Sequence, residues 1–103
     1  MQKSETNLST LFAEGIRDMP KPKTSTGEKN LISQRLIELR RQHNMSQRLL
    51  AYQLQLNGYD MDKNVITRIE TNKRYVTDVE LKALTEIFHV SYEYLIEGKE
   101  EKS

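Results

Sequence analysis

One helix-start signature occurs four times between Met45 and Leu95, and it limits the chain to short helices more firmly than any other feature. Ser46, Asp62, Thr77 and Ser91 each carry a side-chain oxygen able to accept from the orphan amides that open a helix. Each follows an apolar residue, and a second apolar residue comes five places after that one. The pairs are Met45 with Leu50, Met61 with Ile66, Val76 with Leu81, and Val90 with Leu95. This is the spacing of a hydrophobic staple, which sets the angle at which the chain enters a helix. Thr77-Asp78-Val79-Glu80 adds a capping box. Ahead of these starts, Ile32, Leu36 and Leu39 share one face of a further helix expected from Asn30 to His43. Asn44 and Asn72 suit left-handed helix ends, and Gly98 suits the end of the last helix. No run reads as a strand longer than three residues. The expected fold is all-α: a compact five-helix domain.

Composition divides the 103 residues into three parts. Pro20, Pro22, Thr24, Ser25, Thr26 and Gly27 form a breaker-rich linker, so residues 1–29 are expected to be a flexible N-terminal extension. Within it, Leu8, Leu11, Phe12 and Met19 sketch one short amphipathic helix, interrupted by Gly15. Residues 30–98 form the helical domain and 99–103 a tail. With no cysteine, neither a disulfide framework nor a thiolate metal site can be built. No stretch approaches the roughly 18 apolar residues of a membrane span, and the N-terminus lacks the apolar core of a secretory signal. A cytoplasmic location without membrane association is the expectation.

The net charge of +1 conceals a polarity. Residues 31–74 carry eight bases against four acids, a net of +4, whereas residues 75–103 carry three bases against seven acids, a net of −4. The basic section contains Lys63-Asn64-Val65-Ile66-Thr67-Arg68-Ile69-Glu70, an expected helix with Ile66 and Ile69 on one face. Lys63, Asn64, Thr67 and Arg68 point elsewhere, and all four carry donors suited to base edges or phosphates. An apolar back, a donor-rich front and local positive charge are the electrostatic and chemical footprint of nucleic-acid binding.

These residues resemble the lambda-repressor-like helix-turn-helix family, the Cro and phage-repressor type. The similarity spans roughly Leu31 to Glu97. It rests on Met45-Ser46-Gln47, on Leu50-Ala51 with Leu54, on Ile66-Thr67-Arg68-Ile69-Glu70 with Lys73-Arg74, and on Leu81, Leu84, Phe88-His89-Val90-Ser91 and Leu95. The resemblance implies that Gln47 meets a DNA phosphate at the start of the second helix, and that Lys63, Asn64 and Arg68 face base edges or flanking phosphates. It implies that Thr67 touches a thymine methyl or a phosphate, and that Lys73 and Arg74 hold the backbone. Arg40 and Glu70 match positions that form an internal salt bridge in many relatives. One departure is a turn about five residues longer than usual between Leu54 and Asp62, with Asn57-Gly58 placed to make the reversal.

The expected function is that of a sequence-specific, double-stranded DNA-binding transcriptional regulator, a repressor acting as a homodimer on a partly palindromic operator. The dimer contact is expected on the last two helices near Tyr92, Leu95 and Ile96. Lys21, Lys23 and Lys29 are expected to add non-specific DNA contacts. The acidic last third suits a different class, a protein-interaction module such as an antitoxin-like or adaptor protein. An enzyme is not expected: there is no cysteine nucleophile, no glycine-rich phosphate loop, and His43 and His89 lack carboxylate partners at a readable spacing. No cofactor is expected, and the two histidines have no second ligand at metal spacing. Arg35, Arg41 and Arg48 read as a solvated face.

Overall fold

Ser46, Asp62, Thr77 and Ser91 each cap a helix in the computed structural model, which describes residues 23–99. Their side-chain oxygens accept from the amides of Leu49, Val65, Glu80 and Tyr94 respectively. The capping box is closed as well, because the Glu80 carboxylate accepts from the Thr77 amide at 3.1 Å. Among the described residues the helices are α1 (Ser33–Gln42), α2 (Gln47–Leu56), α3 (Lys63–Glu70), α4 (Asp78–Phe88) and α5 (Tyr92–Glu97), and the fold is all-α.

The first four helices stop by the same device. An amide just past each helix reaches back more than a full turn: Met45 to the Arg40 carbonyl, Tyr59 to Leu54, Lys73 to Arg68, and Val90 to Thr85. This six-to-one bond needs a left-handed residue just before the donor. Asn44 (φ 55°), Gly58 (φ 89°), Asn72 (φ 61°) and His89 (φ 57°) supply it. Met45 and Val90 therefore serve twice, ending one helix and stapling the start of the next. The six-residue α5 ends at Gly98 (φ 75°).

The start of α1 differs from expectation. The helix begins at Ser33, and Ile32 occupies the N-cap position without a side-chain cap. Asn30 does not extend the helix because its amide group is engaged elsewhere. Its Oδ1 accepts from the Ile32 amide at 3.0 Å, and its Nδ2 donates to the carbonyls of Ile69 at 3.1 Å and Arg74 at 3.0 Å. Asn72 completes the joint, accepting from the Asn30 amide at 3.1 Å and donating to Ser33 Oγ at 2.7 Å. The described part of the expected extension also has local structure. Thr24 and Glu28 close a turn on each other through a 2.8 Å backbone bond and a 2.9 Å bond to Thr24 Oγ1. The expected helix carrying Leu8, Leu11, Phe12 and Met19 lies outside the described residues, as do Lys21 and the tail from 100 onward.

The core is one cluster drawn from all five helices. Leu36, Leu50, Leu54, Ile66, Ile69, Leu84 and Leu95 are fully buried, and truncating a site of this kind to alanine typically costs about 2–5 kcal/mol. Ala51 and Ala83 are buried too; their small side chains allow close backbone approach. α3 packs on α2 and α1, α4 packs on α2, and α5 lies against α4. No described helix is long and apolar enough to cross a membrane.

Candidate nucleic-acid interface

α3 has two faces set by its sequence. Ile66 and Ile69 are fully buried, and Met61, stapled ahead of the Asp62 cap, is 3% exposed. Anchored by that face, the helix turns Lys63, Asn64 and Arg68 to the exterior, and Lys73 is exposed just beyond its end. Among the described residues, none of these four takes part in an ion pair or a side-chain hydrogen bond, so their donors are free. Arg48 on α2 is exposed in the same way.

The other expected site residues are already engaged. Thr67 donates from Oγ1 to Gln47 Oε1 at 2.8 Å, and Gln47 Nε2 donates to Glu70 Oε1 at 2.8 Å. Gln47 is thus a strut from the first turn of α2 to the middle and end of α3. Arg40 grips the same carboxylate with Nε at 2.7 Å from Oε2 and Nη2 at 3.1 Å from Oε1. Its remaining Nη1 donates to the Met45 carbonyl at 2.9 Å. Glu70 consequently accepts three bonds while only 4% of its side chain is exposed. This matches the need of a buried carboxylate for a full set of partners.

Arg74 stands apart from the other expected contact residues. Its Nη2 pairs with Glu80 Oε2 at 2.5 Å, and the side chain is 28% exposed. The capping-box glutamate of α4 thereby draws Arg74 toward α4, and the Arg74 Nε is buried without a partner among the described residues. The sequence pattern assigns Glu80 only to the cap; its second oxygen is free to take a cation six residues back. Lys29, expected to reach DNA from a flexible arm, lies 5.7 Å from the centre of the Tyr75 ring. Arg35, read as part of a solvated face, donates from Nε to the Tyr94 carbonyl at 3.2 Å and covers the Tyr94 ring at 5.5 Å.

The lengthened turn before α3 is braced at two points. Gln55 Nε2 donates across it to the Met61 carbonyl at 3.2 Å. Tyr59 Oη donates to Glu86 Oε1 on α4 at 2.5 Å, and Lys82 Nζ holds Glu86 Oε2 at 2.5 Å. The Lys82 bond and then the Tyr59 bond hold the Glu86 carboxyl below its ordinary pKa. The carboxylate in turn raises both Tyr59 and Lys82 above theirs. The extra residues therefore do not hang loose beside the exposed face of α3.

Among the described residues, no three histidine, aspartate or glutamate side chains gather as metal ligands would. His43 instead places Nδ1 2.9 Å from the Leu39 carbonyl and tilts against Phe88 at 5.0 Å between ring centres. The arrangement offers recognition chemistry: free cationic and amide donors on a rigidly seated helix. Comparison of the chain with family models, curated proteins and solved structures gives no match.

Proposed function

We propose that the chain is a sequence-specific, double-stranded DNA-binding transcriptional regulator of the lambda-repressor-like helix-turn-helix type, a repressor acting as a homodimer on a partly palindromic operator. The observation that carries this reading is the division of α3 between fully buried Ile66 and Ile69 and exposed, unpaired Lys63, Asn64 and Arg68. A helix about 10–12 Å across fits the major groove, which is about 12 Å wide. In that pose Lys63 and Asn64 lead, and Arg68 follows about one turn later. Asparagine can take two bonds from adenine and arginine two from guanine. Arg48 and Lys73 fix the register through phosphates. Gln47 supports α3 from behind, and its own first-turn amide remains available to a phosphate at the start of α2. Two-fold pairing sets two such helices about 34 Å apart on one face of the duplex. Leu95 is fully buried by its own staple, so the dimer contact centres on Tyr92, which is 50% exposed. Selection of bound duplexes from a random pool, followed by titration across a salt series, tests the reading. Enrichment of a two-fold related motif is the expected result; uniform binding to all duplexes rejects it.

One observation favours a second reading. Leu49, Tyr52 and Leu56 are 40%, 57% and 63% exposed, and their spacing of three and four places them on one outer face of α2. An apolar stripe of this kind suits a protein-interaction module. Salt-independent failure to bind any duplex, together with capture of a protein partner that Tyr52→Asp abolishes, selects it over the first reading.

A further inference from the structure

Beside the start of α1 lies an open apolar groove of about 290 Å³. Leu31, Val76, Leu81 and Ile96 form its floor and walls, with Lys23 and Lys29 along its rim. Leu31 is 60% exposed there, although it sits next to fully packed Ile32. Ile96, on the short last helix, faces the same space. A concave apolar surface of this size is about the smallest that holds a ligand-sized group, and it is large enough for two or three aliphatic or aromatic side chains.

The path of the chain points to the occupant. Lys23 and Thr24 themselves line the groove, so the described part of the chain begins at its edge. That preceding segment carries Leu8, Leu11, Phe12, Ile16 and Met19, at the i, i+3, i+4, i+8, i+11 spacing of one helical stripe. Only Pro20, Lys21 and Pro22 separate Met19 from Lys23, a reach of at most roughly 14 Å. Glu14 and Asp18 outweigh Arg17 within the segment, which leaves it net negative, opposite in sign to the lysines on the groove rim.

We infer that residues 8–19 of the same chain bind this groove as a short amphipathic helix, covering Leu31 and Ile96. A tether this short holds the segment at an effective concentration on the order of millimolar. A contact too weak to hold a free peptide can then keep the groove filled. The N-terminal segment is on this account a piece of the domain, which revises the expectation that it only supplies loose lysines. The inference does not depend on the DNA-binding reading, and it leaves the exposed face of α3 untouched.

The absence of cysteine allows a clean test in the full chain. A nitroxide on Thr10→Cys sits about 180° round from the middle of the apolar stripe at roughly 100° per residue, so it reports position without blocking the contact. The expected result is strong paramagnetic broadening centred on the methyls of Leu31, Val76, Leu81 and Ile96. It should be lost on Leu11→Asp with Phe12→Asp, and lost equally on Leu31→Asp, a site exposed enough to accept charge without unfolding. Mixing spin-labelled chain with isotope-labelled chain separates intramolecular docking from occupancy by a second copy. Broadening spread evenly over the domain overturns the inference. So does broadening that appears only between molecules, or that survives both sets of substitutions.

Discussion

Arg40 and Glu70 face each other through two parallel hydrogen bonds of 2.7 and 3.1 Å, with 14% and 4% of their side chains exposed. The pair joins α1 to the last turn of α3, and Gln47 adds a bond from α2 to the same carboxylate. Removing one member of a buried pair leaves the other charge without a partner, at about 3–5 kcal/mol. Glu70→Gln should therefore lower the thermal midpoint by more than about 10 °C, at roughly 4–8 °C per kcal/mol for a domain of this size. Circular dichroism melts of the full chain measure it.

Replacing Lys63, Asn64 and Arg68 together with alanine should leave the melt nearly unchanged, because all three are exposed and make no described side-chain bond. Surface changes of this kind usually fall within about 0.5 kcal/mol. Each lost two-bond base contact should cost about 1–3 kcal/mol of binding and relax preference at its base pair. Titrations on a selected duplex, paired with melts, separate the two effects.

The surface cluster on Glu86 should respond to pH and salt. Because the folded carboxyl sits below its ordinary pKa, through Lys82 first and Tyr59 second, its contribution is present above the unfolded value. That contribution is lost as pH falls through the folded value. Tyr59 and Lys82 are raised, so their contribution is present below about pH 10 and lost as pH climbs through their folded values. NMR titration should find the Glu86 carboxyl ionising below an ordinary glutamate. Lys82→Met should bring it back up, and high salt should shrink the difference because the group is exposed.

Asn30→Ala should destabilise the domain by about 2 kcal/mol or more, since it strips a donor from the Ile69 and Arg74 carbonyls and an acceptor from the Ile32 amide. Asn30→Asp should cost at least as much: it keeps the acceptor but turns a second oxygen toward two carbonyls. Urea melts of the two variants beside wild type give the comparison.

The helices are readable in the sequence because their signals are local. Ser46, Asp62, Thr77 and Ser91 announce their starts within four residues, and Asn44 and Asn72 mark ends in the same range. The role of Asn30 is not readable, because the carbonyls it serves lie 39 and 44 residues along the chain. His89 gives no strong sign that it will adopt a left-handed backbone; the cap at Ser91 and the bond from Val90 to Thr85 impose it. In the candidate interface, the exposed side chains follow from the two-faced pattern of α3. The inward pull on Gln47 and Arg74 does not, since it depends on where Glu70 and Glu80 come to rest in three dimensions. The same limit hides the groove, whose lining comes from five separate stretches of chain.

The Asn30–Asn72–Ser33 joint ties two points of the backbone 42 residues apart and so closes a ring around α1, α2 and α3 without a covalent bond. The end of α3 cannot fray alone, because releasing Asn72 also frees the start of α1. Its amides should exchange with solvent only when the whole ring opens, whereas α5, outside the ring and six residues long, can detach first. Any partner that grips α3 thus meets a surface already ordered. Little backbone entropy remains to be lost on binding; the ordering cost falls on the exposed side chains of Lys63, Asn64 and Arg68.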